Sequence, residues 1–254
     1  MFFSLKFCVY FQYHTYNFPR YISTSQISYK VIPKNLKKFS KSSQDWLTRH
    51  LNDPYVKRAK YEHYRARSAF KLIEIDEKHK LLGPGKIVID CGAAPGSWTQ
   101  VVVSKLKDKN GNQNGKVISV DLSYFEKVEG SICLPGHDFN ADSTQLAIEK
   151  ELDGKKVHLI LSDMAPKASG ARDLDHTQII DLSYSVLRFA IKNARYGSDF
   201  LCKVWDGYKL KEFKNELEKY YERVKLVKPN ASRTDSSETF VLGRNFKKIL
   251  ENKS

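Results

Sequence analysis

Between residues 86 and 107 an apolar run stops at a turn of small residues and then resumes at helical spacing. Lys86–Cys91 (KIVIDC) is short, apolar and β-branched, which is the pattern of a buried strand. Gly92-Ala93-Ala94-Pro95-Gly96 follows directly, and residues 97–107 fit a helix. Small residues in such a turn let the backbone approach a ligand closely. In a doubly wound sheet, the first strand-to-helix turn is where a nucleotide-like cofactor sits. Pro95 removes one backbone donor, so a pyrophosphate cradle fits poorly. The spacing GxGxxG is absent, because Gly92 and Gly96 stand four apart. An NAD-dependent oxidoreductase is disfavoured on that ground. Asp121, at the end of the next strand, is placed to accept from ribose hydroxyls. Taken alone, the loop could also be a tight turn and nothing more.

The remaining pattern alternates strands with helices from about Lys57 onward. Residues 60–80 are predicted as one helix, with Ala66, Ala69, Phe70 and Ile73 at helical spacing. Gly83-Pro84-Gly85 punctuates it. Strands are predicted at 116–122, within 131–139, and at 157–163, 198–205, 223–228 and 239–246. Helices are predicted at 142–152, 174–196 and 208–222, with Gly197 stopping the longest. Residues 108–115 (DKNGNQNG) read as a polar loop. This alternation predicts a parallel-rich α/β sandwich.

The chain has 254 residues, enough for one compact domain with a tail. No stretch of 18 uninterrupted apolar residues occurs, so no membrane span is expected. Cys8, Cys91, Cys133 and Cys202 form no CxxC pair, which argues against a disulfide framework or a zinc module. The seven histidines are scattered, and no metal is expected.

A net charge of +14 points to an acidic partner, nucleic acid above all. Half of that excess lies in residues 1–44, which contain no Asp or Glu but seven Lys and Arg. Such a basic, hydroxyl-containing leader reads as a mitochondrial transit peptide, and residues 45–254 as the functional domain. A disordered basic arm is the plain alternative. A secretory signal is weak, because Lys6, Gln12 and His14 interrupt any apolar core. Cleavage is expected between Arg20 and Asp45, which puts the mature protein in the matrix.

Several segments then appear in a specific order: Ser68–Leu72 (SAFKL), Asp90–Gln100 (DCGAAPGSWTQ), Ser162–Pro166 (SDMAP) and Ser169-Gly170. Together they closely resemble the FtsJ family of RNA 2′-O-ribose methyltransferases, over about residues 55–246. With its basic leader the chain resembles the mitochondrial branch, which acts on large-subunit ribosomal RNA. The family pattern has two glycines before the tryptophan; here Ser97 replaces the second.

The resemblance implies a Rossmann-like S-adenosylmethionine-dependent methyltransferase fold, a seven-stranded mostly parallel sheet flanked by helices. It implies S-adenosyl-L-methionine as cofactor, held by Gly92, Pro95, Gly96, Trp98, Asp121, Asp138 and Asp163. Gly96 and Trp98 would face its methionine end, Asp121 its ribose, and Asp138, closing the third strand, its adenine. The implied catalytic set is Lys71, Asp163, Lys203 and Glu238. The implied partner is ribosomal RNA or a precursor of the large subunit, with a uridine of the peptidyl-transferase region as target and a monomeric enzyme. Transfer RNA is the alternative substrate. An RNA-binding ribosome-assembly factor with secondary catalysis is the alternative function.

The residues support this chemistry independently. Lys203 interrupts the apolar run Phe200–Trp205, and a lysine in a central strand needs a partner or a purpose. Asp163 closes a strand on the ligand edge of the sheet. Lys71 alone would be an ordinary solvated lysine, and Glu238 in isolation says nothing. A neutral amine can take the proton of a ribose hydroxyl; burial and a second ammonium favour the neutral form, whereas the carboxylates of Asp163 and Glu238 would orient the amines and favour the charged one. Lys57, Arg58, Lys60, Arg65 and Arg67 crowd the segment leading to Lys71. They form a candidate phosphate-tracking surface, or simply a solvated face.

Overall fold

The computed structural model describes residues 40–247 apart from 168, 234 and 235. The expected leader therefore falls almost wholly outside the described residues. The chain divides into two units after Thr48. Helix α1 (Lys41–Asn52) runs across the expected leader boundary.

In chain order, the following elements are α2 (Pro54–Tyr61), α3 (Ala69–His79), β1 (Lys86–Cys91), α4 (Ser97–Lys105), β2 (Gly115–Asp121) and β3 (Ile132–Pro135). Then come α5 (Asp142–Leu152), β4 (Val157–Ser162), α6 (Arg172–Asn193), β5 (Ala194–Trp205), α7 (Leu210–Tyr220), β6 (Tyr221–Val227) and β7 (Glu238–Phe246). The seven strands form one sheet in the order β3-β2-β1-β4-β5-β7-β6. Strands β3, β2, β1, β4 and β5 pair in parallel, and β7 pairs antiparallel with both β5 and β6.

Alternation along each strand sends successive side chains to two cores. Ile89, Ile118, Val120, Ile160, Phe200 and Val241 pack with α5, α6 and α7. Val88, Val117, Leu161, Leu201, Phe240 and Leu242 pack with α3 and α4. Burying one such aliphatic or aromatic side chain stabilises by about 1.5–3 kcal/mol. The sheet order reverses direction between β1 and β4, which creates the crevice at their carboxyl ends where ligands bind.

Two predicted elements differ from those found. The expected helix over 60–80 is two helices, α2 and α3. Helix α2 starts earlier because Asp53 caps it, accepting from Tyr55 N at 2.9 Å, with Pro54 in its first turn. The chain leaves α2 through His63 at φ +60°, and Tyr64 N bonds back to Ala59 O. Residues 62–68 are diverted to side-chain bonds with α4, which helical periodicity alone does not reveal. The longest helix ends at Asn193, and β5 begins at Ala194 rather than Ser198. Gly197, expected as a helix stop, instead lies within β5 at φ +78°, where the register with β4 shifts.

Other predicted boundaries agree to within a few residues. Cys91, Cys133 and Cys202 are free thiols, and burial pushes Cys202 up to about 11. Among the described residues, no helix is long and apolar enough to cross a membrane.

Candidate active site

Two lysines meet two carboxylates at the carboxyl edge of the sheet. Lys203 rises from near the carboxyl end of β5 and is only 8% exposed. Its Nζ donates to the backbone carbonyl of Asp163 at 2.6 Å and lies 3.0 Å from Asp163 Oδ1. Lys71, in the first turn of α3, donates from Nζ to Glu238 Oε2 at 2.7 Å. Glu238 Oε1 accepts from Ser232 Oγ at 2.8 Å, which fixes the carboxylate from its other side.

Phe240 joins the two pairs. It is the cross-strand partner of Lys203, and its ring centroid lies 5.9 Å from Lys71 Nζ. The ring is fully buried, so Lys71 Nζ stands over a dry floor beside the Lys203 strand position. A charge–charge or charge–dipole contact is stronger there than in water.

Asp163 also belongs to a cleft of about 1150 Å³ that runs along the carboxyl ends of β1, β2 and β4. Gly92, Ala94, Asp121, Asp138 and Met164 line it. Gly92 has φ +80°, and a Cβ there would sit 2.7 Å from the backbone nitrogen of Met164. Only glycine lets these two loops approach so closely. Asp121 accepts from Ala94 N at 2.9 Å and from Ser123 N at 2.7 Å, one bond to each oxygen. Each oxygen keeps a second acceptor site for a ligand hydroxyl. Asp138 is exposed and accepts only from Asn140 N, through Oδ1, at 2.9 Å. It does not close the third strand, which stops at Pro135; it lies in the loop beyond.

Asp90 lies beneath the glycine loop and is completely buried. Its Oδ2 accepts from Thr99 Oγ1 at 2.7 Å, and Thr99 Oγ1 also lies 2.8 Å from Ser119 Oγ. Its Oδ1 has no partner. Burial pushes this carboxyl up to about 7 against the Thr99 hydrogen bond, and the charges of Asp163 and Asp121 add to the rise. Asp90, Ser232 and Phe240 were not singled out as site residues from the sequence. The available signal was the carboxylate inside the apolar run KIVIDC.

Three residues expected at the cofactor lie elsewhere than on the cleft wall. Trp98 is 2% exposed, packs on Phe240 at 5.7 Å between centroids, and donates from Nε1 to Ser68 O at 2.8 Å. A large apolar ring with one donor is satisfied by that core position. Gly96, at φ +104°, faces Arg65 and Val128, with Arg65 Nη1 2.7 Å from where a Cβ would stand. Pro95 offers its carbonyl to the same guanidinium at 3.0 Å. All three help to shape the loop.

The basic run also divides. Arg65 ties three loop carbonyls together: Pro95 O at 3.0 Å, Glu126 O at 2.5 Å and Lys127 O at 2.8 Å. Arg67 pairs with Asp53 and donates to Ala231 O. Both guanidinium groups serve the fold rather than an open phosphate-tracking surface. Arg58 pairs with Glu62 at 2.6 Å and lies over Phe70. Lys57 and Lys60 are exposed on α2. Among the described residues, no cluster of three or more His, Cys, Asp or Glu side chains is placed to hold a metal ion.

Residues 64–246 match the family described as FtsJ-like methyltransferase. The chain belongs to this family. The FtsJ-like chain is 48% identical to the mitochondrial rRNA methyltransferase 2 of Drosophila melanogaster over 222 residues, covering 86% of this chain and 88% of that one. It is 41% identical to the ribosomal RNA large subunit methyltransferase E of an Azoarcus species, covering 81% and 98%. Among solved structures, a ribosomal RNA methyltransferase from Plasmodium falciparum superposes with a TM-score of 0.64 at 28% identity, covering 72% of this chain and 98% of that one. The FtsJ-like chain therefore has the Rossmann-like methyltransferase fold expected from its motifs, and it is a methyltransferase.

Proposed function

We propose that the protein methylates a ribose 2′-hydroxyl of mitochondrial large-subunit ribosomal RNA, using S-adenosyl-L-methionine. The observation that carries this reading is the double role of Asp163. It lines the cofactor cleft and at the same time holds Lys203 by its carbonyl and its carboxylate. One residue thus couples the place where a methyl donor fits to a candidate proton acceptor.

The cleft suits the cofactor by shape and donor set. The close approach of Gly92 to Met164 leaves no room for a Cβ and sets the two loops that line the cleft. Asp121 presents free acceptor sites for ribose hydroxyls, and Asp138 has one carboxylate oxygen left for an exocyclic amine. When bound, the cofactor supplies a methyl group already activated by its own sulfonium charge.

The chain's own residues position the acceptor and take its proton. The Asp163 carbonyl takes one hydrogen of Lys203 Nζ, and its carboxylate stands within ion-pair distance. In the neutral amine the nitrogen lone pair is left for the 2′-hydroxyl proton. Lys71, restrained by Glu238, brings a second positive charge over Phe240. That charge stabilises the oxyanion that develops as the proton leaves. Asp163, Lys203, Lys71 and Glu238 thereby serve as one unit on the hydroxyl, and no metal is needed.

The basic leader and the mitochondrial relative support action in the mitochondrial matrix. Lys57 and Lys60 support contact with RNA phosphates. A uridine of the peptidyl-transferase region is the expected target, ribosomal RNA or a large-subunit precursor the expected partner, and a monomer the expected state. Mapping 2′-O-methyl groups in mitochondrial large-subunit ribosomal RNA with and without the protein tests the reading. Loss of one methylated ribose supports it. An unchanged ribosomal RNA map with a lost transfer RNA methyl overturns the substrate.

A further inference from the structure

A second cavity, of about 420 Å³, lies beside the lysine–carboxylate pairs and plays no part in the cofactor cleft. The start of α6 (Arg172, Asp173 and His176) forms one wall, and the loop after β5 (Trp205, Asp206 and Tyr208) forms the other. Ser237 closes it next to Glu238. Trp205 is two residues beyond Lys203 along β5, about 7 Å by strand rise. It is also the cross-strand partner of Glu238. The cavity therefore begins within one nucleotide's reach of the proposed proton acceptor.

Side-chain contacts hold its loop wall. Tyr208 is 65% exposed, yet its ring is held at three points. Its hydroxyl lies 3.1 Å from Thr177 Oγ1, its ring centroid lies 5.1 Å from that of His176, and Lys209 Nζ lies 5.8 Å from the ring. His176 is itself buried and accepts from Lys209 N at 3.1 Å through Nε2. Gly207 has no side chain because a Cβ there would sit 2.5 Å from the imidazole. An exposed aromatic face is thus fixed in position, rather than left to rotate in solvent. Asp173, Asp206 and Ser237 supply acceptors and a donor around it, and Arg172 supplies a cation.

We propose that this cavity receives the base of the nucleotide whose ribose is methylated, stacked on Tyr208 and read at its edge by Asp173, Asp206 and Ser237. The inference rests on the proposed RNA reading and adds to it the part of the site that chooses the base. The chemistry agrees with general RNA recognition, in which unstacked bases lie on aromatic rings and are hydrogen-bonded along their edges. Preordering Tyr208 through Thr177 and His176 lowers the entropy lost when a base docks.

The test uses the full chain, saturating S-adenosyl-L-methionine and a transcript of mitochondrial large-subunit ribosomal RNA. Stacking of one base on an aromatic ring corresponds to about 5- to 150-fold in affinity. Tyr208→Ala should therefore lower kcat/KM for RNA within that range, while calorimetric binding of S-adenosyl-L-methionine stays at the wild-type value. Tyr208→Phe keeps the ring but gives up the Thr177 bond, and should fall between wild type and Tyr208→Ala. Wild-type kcat/KM in Tyr208→Ala overturns the base pocket alone. Equal losses in Tyr208→Phe and Tyr208→Ala also overturn it, because the hydroxyl's structural bond would then be what matters. A wild-type protein that transfers no methyl to RNA overturns the underlying reading as well.

Discussion

Lys203 and Asp163 are joined twice, through a 2.6 Å bond to the backbone carbonyl and a 3.0 Å ion pair to the carboxylate. The carbonyl bond does not depend on the aspartate side chain. Lys203 would therefore stay in place even when Asp163 engages another partner.

That double attachment makes the arginine substitution informative. Guanidinium keeps the positive charge but stays protonated in proteins. Lys203→Arg is expected to lose methyl transfer nearly as fully as Lys203→Ala, by about 10²–10⁴ in rate, as general-base loss does. Single-turnover transfer of labelled methyl across a pH series measures it. Substantial activity in the arginine variant would assign Lys203 to charge stabilisation instead.

Glu238 is expected to matter less than Lys203. Glu238→Ala removes the partner that restrains Lys71 and leaves the Lys203–Asp163 pair intact. The same single-turnover assay should rank Glu238→Ala between wild type and Lys203→Ala. An order with Glu238→Ala at the bottom contradicts the assignment.

Asp121→Ala removes a charged acceptor from the cleft and the partner of Ala94 N. Binding of S-adenosyl-L-methionine should weaken by roughly 1.5–3 kcal/mol. Calorimetry with S-adenosyl-L-methionine and with NAD decides. Tight NAD binding with no S-adenosyl-L-methionine binding would sink the methyltransferase cleft.

Arg65 and the α2 lysines should separate cleanly. Arg65→Ala breaks three carbonyl bonds and should destabilise the fold by about 1.5–3 kcal/mol, read by urea unfolding. Replacing Lys57 and Lys60 together by alanine should reduce the salt slope of RNA binding by ~0.7–0.9 per lysine that contacts a phosphate. An unchanged slope returns α2 to an ordinary solvated face.

Asp90 makes the stability pH-dependent. Its folded value of about 7 lies above the unfolded carboxylate value of 3.8, so the folded state holds the proton more tightly. Its contribution is fully present below pH 3.8 and is lost as pH rises through about 7. Asp90→Asn can still accept from Thr99 and does not ionise. The stability of this variant relative to wild type should climb between these two pH values and then level off. Urea titrations at several pH values check it, and a flat difference contradicts it.

Much of this protein was legible along the chain. The strand–glycine loop–helix at 86–107 and the alternation that follows depend on period and local sterics, and these set element type without tertiary information. The resemblance that the ordered motifs carry implied Lys71, Asp163, Lys203 and Glu238 as a set. The lysine inside the apolar run of β5 announced that it needed a partner. Which partner was decided only by the crossover that lays β4 beside β5. Lys71 and Glu238, 167 residues apart, meet only because β7 inserts antiparallel next to β5. Composition could not tell Arg65 and Arg67 from Lys57 and Lys60, since all four are cations in one short segment. Burial against carbonyls and Asp53 made two of them structural. Trp98 was drawn into the core for the same reason, a large apolar surface with a single donor that Ser68 O satisfies. Local pattern determines what each segment becomes, whereas long-range packing decides which polar groups lose water and must find one another.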